Sequence, residues 1–274
     1  MGASIEMSRL SAGGGVKALA ALVVFVAVLL IPAIGTQRAI VGAGTAAPVP
    51  TSMPAQTSAP ISTAVPVPSP MPPPMPVLHV GIQSGHLQAC DVPEELADLK
   101  CAWGVSGDGW DEVVVNHQIA EKVADLLSRE GLVVDILPTT IPEGYKADVF
   151  VALHCDGFED DPSLRGFKVA RSDWTKQRSV DDALVGDLVK DYQAATGLPE
   201  STNTISDNMT EYYAFNYVKY HHAISPSTPA AIIEMGFLTN DSDRELLMKQ
   251  QDKPARGIAK AVLDFLGRPS RTGL

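Results

Sequence analysis

Cysteine, positive charge and long apolar runs are all scarce in this chain. Three cysteines in 274 residues are too few for a disulfide scaffold. Cys90 and Cys101 flank one short loop, where a single bridge would form if the domain is exported, and Cys155 is then left unpaired. Lysine and arginine number 21 against 32 acidic residues, giving a formal net charge of -11. That balance argues against nucleic acid, or an anionic lipid surface, as the main partner. No internal repeat is visible. Charged residues reach only 19% while hydrophobic ones make up 45%, so a sizeable core is within reach.

The single long apolar run is Ala18–Gly35, ALAALVVFVAVLLIPAIG, preceded by Arg9 and Lys17. Its length suits either a membrane anchor or the core of a signal peptide, and Ala33 and Gly35 offer a small-x-small cleavage site. The basic residues before it predict a cytoplasmic N-terminus over 1–17, with the remainder exported. An uncleaved anchor over 18–35, tying the protein to a membrane, is the expectation. Residues 36–76 are rich in Ala, Pro, Ser, Thr and Val and read as an extended spacer without a core. A globular domain over 77–267 and a short tail over 268–274 complete the chain.

Within the domain, VLHVGIQSGH (Val77–His86) reads as a strand whose exit loop ends on a histidine. Asp111 is a candidate helix cap, and Val115, Ile119, Val123 and Leu126 recur at helical spacing after it. Leu132–Leu137 and Ala147–His154 read as strands, the second again ending in a histidine. Gly166–Arg171 is a short strand, and Val180–Thr196 a helix closed by Gly197. Residues 198–225 look loop-like. Ala230–Met235 is a strand, followed by helices over Asp241–Gln250 and Pro254–Leu266. Strands alternating with helices mean an α/β domain with a largely parallel sheet.

Three strands thus lead to His86, His154 and Glu234, while Glu112 opens the first long helix. Two histidines and a carboxylate are a common ligand set for a catalytic zinc, and a further carboxylate can act as general base. Taken one at a time, a histidine after a strand is more often an ordinary polar residue, and Glu112 could merely complement the helix dipole. Glu234 resists that reading, because a carboxylate inside AAIIEMGFL must be paired, metal-linked or shifted in pKa.

GIQSGH, WDEVVVNHQIAEKVADLL, ADVFVALHCDG and TPAAIIEMGFLTNDSD together resemble the type 3 family of zinc-dependent N-acetylmuramoyl-L-alanine amidases, in the family's order. The segment Glu234-Met235-Gly236-Phe237-Leu238-Thr239-Asn240 carries most of the specificity. The resemblance implies zinc held by His86, Glu112 and His154, with Glu234 as the catalytic glutamate. It also implies a twisted, mixed, largely parallel sheet of about six strands with helices on both faces. The implied reaction is hydrolysis of the amide joining the lactyl group of N-acetylmuramic acid to L-alanine, with peptidoglycan as partner and room for an activator protein. Gln83, Ser84 and Leu87 depart from the family's D-P-G-H-G-G, which permits a related zinc peptidase; a wall-binding module without catalysis is the other alternative. Cys155, next to a ligand on a strand, should face away from the site. His222 is a candidate substrate-binding residue, and Tyr212-Tyr213 could stack on sugar.

Overall fold

The computed structural model describes residues 76–107 and 109–274; the cytoplasmic N-terminus expected over 1–17, the anchor expected over 18–35 and all of the spacer but residue 76 lie outside them. Among the described residues no helix is long and apolar enough to cross a membrane. The domain is built on a five-stranded sheet in the order β4-β1-β5-β7-β6. Its strands are β1 (His79–Ser84), β4 (Val133–Leu137), β5 (Val149–Asp156), β6 (Lys168–Ala170) and β7 (Ala230–Phe237). The first four in spatial order run parallel, and β6 closes the edge antiparallel to β7.

Among the described residues this sheet has five strands rather than about six. Between β1 and the first long helix the chain carries 3-10 turns and only a two-stranded ribbon, β2 (Ser106–Gly107) with β3 (Trp110–Asp111). Leu87–Trp110 offers no apolar alternation long enough to add a strand to the sheet. The central strands β5 and β7 are apolar on both faces, as strands buried on both sides must be.

The two faces are covered differently. Val80, Ile82, Val151, Leu153, Cys155 and Ile233 face a core filled by α1 (Glu112–Arg129), α2 (Arg178–Thr196), α4 (Asp241–Lys249) and α5 (Asp252–Phe265). Phe150, Ala152 and Ile232 face a second core, closed by the 3-10 turn Glu94–Leu99, the one-turn helix α3 (Asp207–Thr210) and the turn Tyr213–Phe215. The long helices therefore gather on one face, and short turns from the loop-like region seal the other.

Helix α1 buries Val115, Ile119 and Val123 as the spacing predicts, and the stripe ends on Leu127, with Leu126 half-buried beside it. Asn240 caps α4, its side chain accepting from the amides of Ser242 and Asp243. The C-terminal segment is tied down: the Arg271 and Thr272 amides and the Ser270 and Thr272 hydroxyls all donate to the buried Glu130 carboxylate at the end of α1.

Candidate metal centre

The site lies at the C-terminal end of the parallel strands, on the face covered by short turns. His154 and Glu234 are register partners on β5 and β7, and Lys168 of β6 pairs with Glu234 on its other side. Side chains alternate along a strand, so these three stand in a row on one face while Cys155 enters the opposite core. Burial first, and then the carboxylates of Glu112, Glu234 and Asp156, raise the Cys155 thiol well above its ordinary value, which leaves it inert.

His86 comes from the loop after β1, with its backbone in the left-handed region at φ 65°. The ring is held by Nδ1–H donating to the Ala102 carbonyl at 2.7 Å. A carbonyl can only accept, so Nδ1 carries a proton, and Nε2 is the nitrogen turned toward Glu112. Two glycines make room for this convergence. A Cβ on Gly85 would lie 2.4 Å from the His154 ring, and one on Gly104 would lie 2.0 Å from Glu112 Oε2.

Glu112 starts α1 and points back under the loop instead of capping the helix. Its Oε2 accepts from the Val105 amide at 2.9 Å, while Oε1 accepts from Asn116 Nδ2 at 3.1 Å and the Cys155 amide at 3.2 Å. His86 Nε2 lies 3.2 Å and His154 Nδ1 3.1 Å from the same Oε1. Burial alone would raise this carboxyl; the two histidines, His154 foremost, outweigh burial and hold it well below the usual carboxylate range.

One donor atom from each of His86, Glu112 and His154 lies within 4.8 Å of the others. Two imidazole nitrogens and a carboxylate oxygen match the ligand set of a catalytic zinc. The charges fit as well. Glu112, Glu234 and Asp156 crowd together with Lys168 as their cation, and Lys168 is already paired with Asp156. Glu234 Oε2 is enclosed and has no hydrogen-bond partner among the described residues. Burial, then Glu112 and Asp156, push the Glu234 carboxyl well above its usual value against the opposing pull of Lys168. A bound cation would relieve that shortage of positive charge. The other acidic cluster among the described residues, Asp187, Asp191 and Asp264, is already engaged by Lys190 and Lys260.

A cleft of about 430 Å³ opens onto the centre, lined by His86, His154 and Glu234 together with Met209, Glu211 and Tyr212. His222 is not among its lining residues. Its ring donates to the Ile141 carbonyl at 2.7 Å, and the amides of His221 and His222 grip Glu95. The structure therefore places His222 as an anchor for the turn Glu94–Leu99. Tyr212 faces His154 edge-on at 5.4 Å between ring centroids, with its hydroxyl 3.0 Å from His154 Nε2. Asn116 and Gln83 are both fully buried; the sequence shows Gln83 only as a departure from the family pattern and gives no sign of Asn116 beyond its place one helical turn after Glu112.

The disulfide between Cys90 and Cys101 closes the loop that leads to Ala102, the acceptor for His86.

The chain is similar in fold to an N-acetylmuramoyl-L-alanine amidase from Clostridium difficile 630, with a TM-score of 0.50 at 20% identity, covering 70% of this chain and 97% of that one. It is similar also to the N-acetylmuramyl-L-alanine amidase Ami1 from Mycobacterium smegmatis, with a TM-score of 0.51 at 18% identity, covering 69% and 97%. A third is the CwlD amidase from Clostridioides difficile, solved in complex with the GerS lipoprotein, with a TM-score of 0.50 at 16% identity, covering 69% and 98%. At such identities these likenesses bear on the fold. No curated protein matches the sequence. The model of the family Amidase_3, N-acetylmuramoyl-L-alanine amidase, matches residues 80–264, so the chain belongs to that family.

Proposed function

We propose that the protein is a zinc-dependent peptidoglycan amidase that cleaves the bond between the lactyl group of N-acetylmuramic acid and L-alanine. One observation carries the reading: His86, Glu112 and His154 converge from three separate elements, with Glu234 beside them in register on the next strand. Family membership supplies the substrate class. His86 Nε2, Glu112 Oε1 and His154 Nδ1 would hold the ion. Bound there, zinc supplies polarisation of the scissile carbonyl and a water of lowered pKa.

The rest belongs to the protein. Glu234 accepts a proton from the attacking water as its oxygen bonds to the lactyl carbonyl carbon. It returns that proton to the nitrogen as the C–N bond breaks, leaving a lactyl carboxyl on the glycan and a free L-alanine amino group on the peptide. Lys168, next in the row, keeps positive charge beside Glu234 and opposes the rise that burial imposes on it. The same reading places the domain outside the cytoplasm, tethered through Ala18–Gly35 with the proline-rich stretch as reach.

The full-length chain, purified in mild detergent, is incubated with peptidoglycan, and the products are read by mass spectrometry with chelator and with zinc restored. Free stem peptides beginning at L-alanine, lost with chelator and regained with zinc, are expected. Cuts within the peptide would replace this reading with a peptidase. Intact glycan retained by zinc-loaded protein would replace it with a binding module.

A further inference from the structure

We propose that Gln83 and Tyr212 are positioning residues that hold His154 in the tautomer whose Nδ1 is free for the metal. This rests on the zinc reading above. Two backbone carbonyls set the direction of the network. Gln83 Nε2 donates to the Pro138 carbonyl at 3.2 Å and to the Tyr213 hydroxyl at 2.6 Å. The Tyr213 hydroxyl spends its own proton on the Thr139 carbonyl at 2.5 Å. Both neighbours therefore accept from Gln83, which fixes the amide with Nε2 on that side and Oε1 on the other.

Oε1 can only accept. It takes the Tyr212 hydroxyl proton at 3.0 Å, so Tyr212 has only lone pairs to offer His154 Nε2, also at 3.0 Å. Nε2 must then carry a hydrogen, which leaves Nδ1, facing Glu112 Oε1 at 3.1 Å, as the nitrogen available to a metal. His86 is set the opposite way, its Nδ1–H on Ala102 leaving Nε2 as the nitrogen that faces Glu112. The two histidines thus present different nitrogens, and each choice traces back to a backbone carbonyl. Gln83 is fully buried, and it takes the place where the family pattern has an aspartate. An aspartate has no N–H for Pro138, so in this chain Gln83 and Tyr212 work as a pair.

Zinc affinity of the full-length chain, measured by competition with a chromophoric chelator, tests the relay. Tyr212→Phe keeps the ring packed against Tyr213 and Phe215 and removes only the hydroxyl. It is expected to weaken zinc binding roughly 10–100-fold, as loss of a partner to a ligating histidine does. Gln83→Leu should weaken binding too, and the double variant should be no weaker than Tyr212→Phe, since the two act in one chain. Nitrogen-15 spectra of the zinc-loaded wild type should show His154 protonated on Nε2, a readout that a merely structural role would not set. Affinity of Tyr212→Phe within about twofold of wild type, or a His154 protonated on Nδ1, would overturn the relay while leaving the zinc centre standing. Wild-type protein that binds no zinc would overturn the centre itself, and the relay with it.

Discussion

Replacing Gly257 by alanine tests the helix packing behind the site, because two physical effects give opposite signs. Alanine is the better helix former by about 1 kcal/mol, so propensity alone predicts stabilisation. Gly257 lies inside α5 where that helix crosses α2. An added Cβ would sit 2.8 Å from Tyr192 Cα, 3.1 Å from Ala195 Cβ and 3.2 Å from the Asp191 carbonyl oxygen. The nearest atoms belong to the backbone or to a Cβ, so no flexible side chain can swing away, and the helices must part. Overpacking of this kind costs about 1–3 kcal/mol, and such rigid contacts put the cost near the top of that range. The net loss is about 2 kcal/mol, which at about 2–4 °C per kcal/mol lowers the melting midpoint by about 4–8 °C. Gly186 is the control: it lies inside α2, and an added Cβ would meet nothing within 4 Å. Gly186→Ala should gain up to about 1 kcal/mol, raising the midpoint by about 2–4 °C. Circular dichroism melts of the two variants in the full-length chain give the answer. If both midpoints move in the same direction, the close approach of α5 to α2 at Gly257 does not decide the outcome.

Glu234→Gln should leave zinc affinity near that of wild type while peptide release falls roughly 10²–10⁴-fold, as loss of a general base does; a parallel loss of metal would mean that Glu234 is a ligand instead. At Glu130, burial would raise the carboxyl, but the Ser270, Arg271 and Thr272 donors outweigh it and bring it down to about 2 from an ordinary 4.5. A depressed pKa stabilises the folded state above the unfolded value, so the anchoring of the C-terminal segment should be complete above pH 4.5 and lost as pH falls toward 2. Limited proteolysis across that window should release the segment, and Glu130→Gln should already be cut at neutral pH. Reducing the Cys90–Cys101 bridge, or replacing both cysteines by serine, should cost about 2–3 kcal/mol for a loop of this length. It should also weaken zinc binding, because Ala102 and Val105, just beyond the bridge, hold His86 and Glu112.

Periodicity carried most of what could be read in advance. The α1 stripe and the apolar runs of β5 and β7 report burial directly, and burial decides which elements form the sheet. His86, Glu112, His154 and Glu234 stand out in the sequence because each is a polar residue set inside or just after an apolar strand, or opening a helix. Which nitrogen His154 offers was not visible. It depends on Tyr212 meeting Gln83, 129 residues away in sequence, and a contact between such distant residues leaves no local pattern. The contacts of His222 are hidden for the same reason. A histidine in a polar loop looks alike whether it faces a cleft or grips Ile141 and Glu95. The crowding of long helices onto one face was hidden too, since an amphipathic stripe shows that a helix packs but not on which side.

The row His154, Glu234, Lys168 has a consequence for how such a site can change. Imidazole, carboxylate and ammonium are mounted on three adjacent strands at matched register, so their separation is the pitch of the sheet, about 4.8 Å from strand to strand. A pitch of that kind cannot be tuned by degrees. Slipping a strand by one residue turns its group into the opposite core, and slipping by two carries it about 6.8 Å along, out of reach of its neighbours. The chemistry is therefore locked to the lattice of the sheet, and gradual change is confined to the surrounding turns. Anyone redesigning which amide this protein cuts should treat the three strands as a fixed ruler and draw the new substrate in the loops.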